Sequence, residues 1–68
     1  MDQREIAIIE RESTQELERW IAHWRSRHRE YQRLARSGGA DAPIYRRAAL
    51  NSAKLARSYE RALQARRA

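Results

Sequence analysis

Nine positions in the first half of the chain, Ile6, Ile9, Ser13, Leu17, Trp20, Trp24, His28, Tyr31 and Ala35, trace a largely apolar stripe with a recurring 3-4-4 spacing. Such a pattern has an eleven-residue period, close to the natural 3.6 residues per turn, so the stripe runs nearly straight along a helix instead of winding a left-handed supercoil. It predicts one long amphipathic helix over about residues 3–37, with Ile21 widening the apolar face to one suited to a bundle. Arg33 and Arg36 complement the negative C-terminal end of the helix dipole, and Gly38 can take the left-handed conformation that closes the helix. A local alternative stands beside this reading. Ser13-Thr14-Gln15-Glu16 has the form of a capping box, at which the chain could break and fold residues 3–12 back as a third, short helix.

After a turn over residues 38–42, a second helix is predicted over about residues 43–67, capped by Asp41 or Ala42. Pro43 lies in its first turn, where a missing N–H does no harm. Ile44, Ala48, Leu55, Tyr59 and Ala62 form its apolar side, and the side facing the first helix is lined by the small residues Ala48, Ala49, Ser52, Ala53 and Ala56. Small side chains let two helices approach closely, and the Trp20, Trp24 and Tyr31 rings can fill the shallow surface they leave. A loop this short makes the helices antiparallel neighbours. The expected fold is therefore all-α, a single helical-hairpin domain over residues 1–68 in which the first helix outruns the second by about ten residues, roughly 15 Å. Residues 1–13 are then an overhang or a separate short helix, leaving Ile6, Ile8 and Ile9 without an intramolecular partner. Burying each isoleucine is worth about 1.5–3 kcal/mol, so the hairpin is expected to complete a bundle with itself or with a partner.

Size strengthens that expectation, because a chain of 68 residues buries only about 60% of its unfolded surface and is marginal alone. Charge adds a second theme. The formal net charge is +6, and of 15 basic residues only Lys54 is lysine. Arginine and alanine are both abundant, a pairing that GC-rich coding DNA produces unselected, so distribution carries more information than content. Residues 1–24 hold six acids against three arginines, whereas residues 25–68 hold twelve bases against Glu30, Asp41 and Glu60. The bases fall into two stripes: Arg25, Arg29, Arg33 and Arg36 on the first helix, and Arg46, Arg47, Lys54, Arg57 and Arg61 on the second, interrupted only by Leu50 and Gln64. Like charges four apart, as Arg57 and Arg61 are, each cost a few tenths of a kcal/mol. Either these charges are simply solvated or something anionic lies beside them.

Other chemistries find little footing. Cysteine is absent, so disulfides and thiolate sites are excluded. His23 and His28 are five apart, about 140° around a helix, and no carboxylate stands at a spacing that completes a metal site with either. His28 is expected at the core edge, hydrogen-bonded to Glu30, Tyr31 or a partner chain. The serines have no fixed histidine and acid around them, and a two-helix hairpin encloses no cavity, so neither an enzyme, a cofactor nor a small-molecule substrate is expected. No run of about 18 apolar residues occurs, and the acidic first segment would be repelled by anionic lipid, which points away from membranes and toward the cytoplasm. Two functional expectations remain. The first is a protein-protein interaction module that binds itself or a larger protein through Ile6, Ile9, Leu17, Trp20, Ile21, Trp24 and Tyr31. The alternative is a hairpin that contacts the nucleic-acid backbone through Arg25, Arg29, Arg33, Arg36, Arg46, Arg47, Lys54, Arg57 and Arg61.

Overall fold

Ser13 decides where the first helix starts. In a computed structural model that describes residues 11–67, Arg11 is helical, Glu12 bends, and Ser13 is extended (φ −71°, ψ 162°). Its Oγ accepts the Glu16 N–H at 3.1 Å and donates to Glu16 Oε1 at 3.1 Å, while its carbonyl accepts the first helical bond from Leu17 N at 2.9 Å. Helix α1 therefore runs Thr14–Arg36. The uninterrupted helix over residues 3–37 is corrected: the Ser13 side chain caps the otherwise orphaned Glu16 N–H and is itself bonded to the Glu16 carboxylate, which fixes the helix start at Thr14. Residues 1–10 lie outside the described residues, and with them the overhang, the third short helix, Ile6 and Ile9.

Helix α1 ends in a turn made by backbone chemistry. Ser37 N–H reaches Arg33 O at 3.2 Å and Gly38 N–H reaches Ala35 O at 3.2 Å. Gly38 and Gly39 then sit at φ 79° and 89°, a region that side-chain-bearing residues rarely enter. Asp41 O accepts Tyr45 N–H at 3.1 Å, and helix α2 follows over Ala42–Arg67.

The two helices pack along their length as an antiparallel all-α hairpin. Pairings across it run in opposite chain directions: Tyr31 stacks on Tyr45 near the turn, His28 bonds Ala49, Arg25 bonds Glu60, and Glu18 meets Arg67 at the open end. With 23 and 26 residues the helices are closely matched, so the ten-residue excess expected of the first does not occur within the described residues. Just ahead of α1, the Glu12 carbonyl accepts a hydrogen bond from the Arg66 guanidinium, which ties the start of α1 to the end of α2.

Packing uses a different register from the 3-4-4 stripe. The inward positions of α1 are Leu17, Ile21, Trp24, His28, Tyr31 and Ala35, and those of α2 are Ala42, Tyr45, Ala49, Ser52, Ala56, Tyr59 and Leu63. Both sets alternate threes and fours, a seven-residue spacing of the kind that keeps a seam facing one partner helix. The choice turns on a single position: Ile21 is buried where the stripe placed Trp20. Leu17, Ile21, Tyr59 and Leu63 form the core at the open end, with Trp24 and Ala62 packed against it. Toward the turn the small residues Ala49, Ser52 and Ala56 line α2, all nearly inaccessible. They let α1 come close enough for His28 Nδ1 to lie 2.8 Å from Ala49 O, so that ring nitrogen carries the proton and donates. His28 is thus at the core edge as expected, but its partner is the facing helix and not Glu30 or Tyr31. Ser52 is buried without penalty because its hydroxyl donates to Ala48 O at 2.9 Å.

Candidate protein interface

Stepping about 100° per residue away from the inward positions separates the hairpin's two long edges. One edge is formed by Trp20, His23 and Leu34 of α1 with Ile44, Ala48, Leu55 and Ala62 of α2. The other is formed by Glu18, Arg25, Arg29, Gln32 and Arg36 with Arg46, Leu50, Arg57, Glu60 and Gln64. One edge carries the apolar and aromatic side chains, with Arg27, paired to Glu30, between Trp20 and Leu34; the other is polar and mostly basic.

An aromatic cluster organises the apolar edge. Trp20 stacks on Tyr59 (centroids 6.2 Å, planes 19° apart) and lies beside Trp24 at 6.4 Å, while His23 meets Trp20 and Trp24 edge-on at 5.5 and 4.9 Å. Offset and edge-to-face contacts of this kind are worth about 0.5–1.5 kcal/mol each beyond burial. The cluster is nevertheless incompletely covered: Trp20 remains 39% exposed, and Ile44 is 65% exposed. Ile44 was expected on the buried side, but Ala42 and Tyr45 take the inward positions around it and turn it outward. Tyr31, Leu34, Ala48, Leu55 and Ala62 are half-buried along the same side. The Trp24 indole N–H is buried without an acceptor among the described residues, a cost of about 1–3 kcal/mol.

Two carboxyls sit at the foot of this cluster. Hydrogen bonding to Glu16, then desolvation and repulsion from the same neighbour, raise the Glu12 carboxyl above its ordinary pKa, with Trp20 and Arg66 pulling the other way. Glu16 is held below its ordinary value by its bonds to Glu12 and to Ser13. The pair thus takes up its first proton at Glu12.

The expected interface residues divide into two groups. Leu17 is fully inaccessible and Ile21 nearly so, both packed against Tyr59 and Leu63, so the hairpin itself uses them. Trp20 stays exposed on one edge, with Trp24 and Tyr31 half-buried at the inward positions beside it. Leu34, Leu55 and Ile44 join them there, and Leu63 joins the core, although the sequence reading did not select Leu34 or Leu63. The signal for Leu63 was present in its spacing, four residues beyond Tyr59 and seven beyond Ala56.

All nine expected anion-contact residues are exposed. Arg25 donates Nε–H to Glu60 Oε1 at 2.8 Å. Arg29, Arg33, Arg36, Arg46, Arg47, Lys54, Arg57 and Arg61 make no ion pair among the described residues. No three His, Asp or Glu side chains among the described residues gather as a metal site, and no helix there is long and apolar enough to cross a membrane. No family model, curated protein or solved structure matches the chain.

Proposed function

We propose that this chain is a small, non-enzymatic, cytoplasmic protein-protein interaction module: an adaptor, assembly factor, inhibitor or accessory subunit that joins a bundle through the apolar edge of its hairpin. The observation that carries this reading is the mismatch between core and edge. The core cluster comprises four side chains, Leu17, Ile21, Tyr59 and Leu63, while Trp20 and Ile44 remain exposed and Leu34 and Leu55 half-buried on one side. Two helices present too little interior for so many large apolar groups, and a further helix or helix pair laid on that edge would cover them. Clustered aromatic residues bordered by apolar side chains are also a feature of interface hot spots. The partner is therefore helical, either a second copy of the hairpin or a larger protein.

Sedimentation of the whole chain at about 500 mM salt tests this, since apolar packing survives salt that screens surface charge. Association at micromolar concentration, weakened by Trp20→Ser and Leu55→Ser together with helicity retained, is the expected result. A folded, cooperatively melting monomer under those conditions overturns self-association, and association undiminished in the double variant overturns the assignment to this edge.

A further inference from the structure

Parts of the basic stripes of the two helices, which sequence places on separate surfaces, meet on the edge opposite the aromatic cluster. Near the turn Arg36 and Arg46 line the groove between the helices, and farther along Arg25, Arg29 and Arg57 line its continuation with Glu60. Five arginines therefore stand against one glutamate, and that glutamate is already bonded to Arg25. The groove floor between the charges is Ala49, Ala53 and Ala56 with the edge of His28. Toward the open end the same edge becomes mixed in sign, with Glu18 facing Arg67. The concentration of positive charge is thus confined to the part nearer the turn.

We infer that this edge is a second, independent binding surface, and that its occupant is the phosphate backbone of a nucleic acid, held without regard to base sequence. Three features favour a phosphate backbone over an acidic protein. A protein interface needs an apolar centre, and here Leu50, which is 55% exposed, is the only large apolar side chain between the charges among the described residues. All five bases are arginine, whose planar fork bonds phosphate oxygens in pairs. Spacing agrees as well: Arg46 and Arg57 are eleven residues apart, about 16 Å along α2, a length over which one strand of a duplex presents about five phosphates. The hairpin measures 43 × 21 × 15 Å, whereas a major groove is about 12 Å wide. An edge lined by both helices cannot enter it as a unit, so the contacts are assigned to the backbone.

This surface does not depend on the apolar edge. Together the two would let the module carry a polyanion on one side while its other side packs against protein.

The test uses the full chain and a fluorescein-labelled 20-base-pair DNA duplex, titrated by anisotropy between about 50 and 200 mM salt. Binding whose logarithm falls linearly with the logarithm of salt, with a slope near −4, is expected, because each neutralised phosphate contributes about −0.9. Arg29→Gln, Arg46→Gln and Arg57→Gln should each reduce that slope by about one unit. Arg19→Gln and Arg27→Gln remove the same charge elsewhere on the exposed surface and should leave the slope within half a unit of wild type. Equal losses from both sets would show diffuse attraction to a basic molecule and overturn the assignment to this edge. Absence of binding at 50 mM salt overturns it outright, and tighter binding to poly-glutamate than to the duplex at equal charge would replace nucleic acid with an acidic protein. Each of these outcomes is read independently of sedimentation at high salt, so failure of one surface leaves the other standing.

Discussion

Leu17 and Trp20 stand three residues apart on one helix and have opposite fates. Leu17 is fully inaccessible, closed in by Ile21, Tyr59 and Leu63, whereas Trp20 keeps 39% of its surface in water despite two ring stacks. Their truncations should therefore separate. Leu17→Ala removes a filled core site and should cost about 2–5 kcal/mol, enough to abolish most of the helical signal of so small a chain. Trp20→Ala sacrifices stacking and partial burial, on the order of 1–2 kcal/mol, and should keep the helical signal while weakening association. Circular dichroism and urea titration of both variants at one fixed concentration check this. Equal loss of helicity would mean that Trp20 belongs to the hairpin core. Hydrophobicity alone does not rank these two residues, since the larger and more apolar-looking ring is the one left outside. What separates them is angle: Ile21, one step of about 100° from Trp20, takes the inward position.

At the scale of an element, the N-terminus of α1 is governed by three side chains within five residues. Ser13 caps the helix, Glu16 accepts a hydrogen bond from the Ser13 hydroxyl, and Glu12 stands beside Glu16, which raises its pKa. The two carboxyls contribute with opposite pH dependence. Glu16, whose pKa is lowered by folding, stabilises the helix above the ordinary glutamate pKa of about 4.3, and that contribution is lost as pH falls through its depressed value. Glu12, whose pKa is raised, contributes fully below the ordinary value, and its contribution is lost as pH rises through the raised one. Glu12→Gln keeps a hydrogen-bond donor toward Glu16 at every pH and removes the repulsion. Its melting temperature should accordingly match wild type below about pH 4 and exceed it at pH 7. A constant offset between the two proteins across that range would show that the carboxyl pair is not what titrates. The capping box was legible in the sequence as an alternative because it depends only on residues three apart; deciding between it and a continuous helix required the structure, in which the Glu12 carbonyl is held by Arg66 from the far end of the chain.

For the whole molecule, the controlling quantity is the separation of the helices. Ala49, Ser52 and Ala56 are each 5% exposed or less, and the close approach they permit brings His28 within hydrogen-bonding distance of a backbone carbonyl on the other helix. Ala56→Leu forces extra volume into that contact and should destabilise the hairpin by about 1–3 kcal/mol. Ala65→Leu, the same change at an exposed position of α2, should be nearly neutral. Denaturant midpoints of the two variants make the comparison, and indistinguishable values would show that the small-residue surface is not closely packed. A displaced α2 would also pull Ala49 O from His28, so the His28 ring resonances should shift in Ala56→Leu and stay in place in Ala65→Leu.

Local chemistry in the sequence was sufficient to determine the two helices, the glycine turn between them, their antiparallel order, the small-residue surface of the second and the exposure of all nine basic side chains. Each rests on residues within one or two turns of each other, where spacing and backbone preference act directly. Besides the start of α1 after Ser13, three outcomes came only from tertiary packing: Ile21 instead of Trp20 in the core, Ile44 on the surface, and the meeting of arginines from both helices along one edge. All three depend on how each helix is rotated about its own axis against the other. That rotation is set where Leu17, Ile21, Tyr59 and Leu63 close around one another at the open end and Ala49, Ser52 and Ala56 meet α1 nearer the turn. A stripe counted along a single helix cannot supply it, because the 3-4-4 and 3-4 spacings differ by one position over the length that packs, and only contact with the second helix distinguishes them.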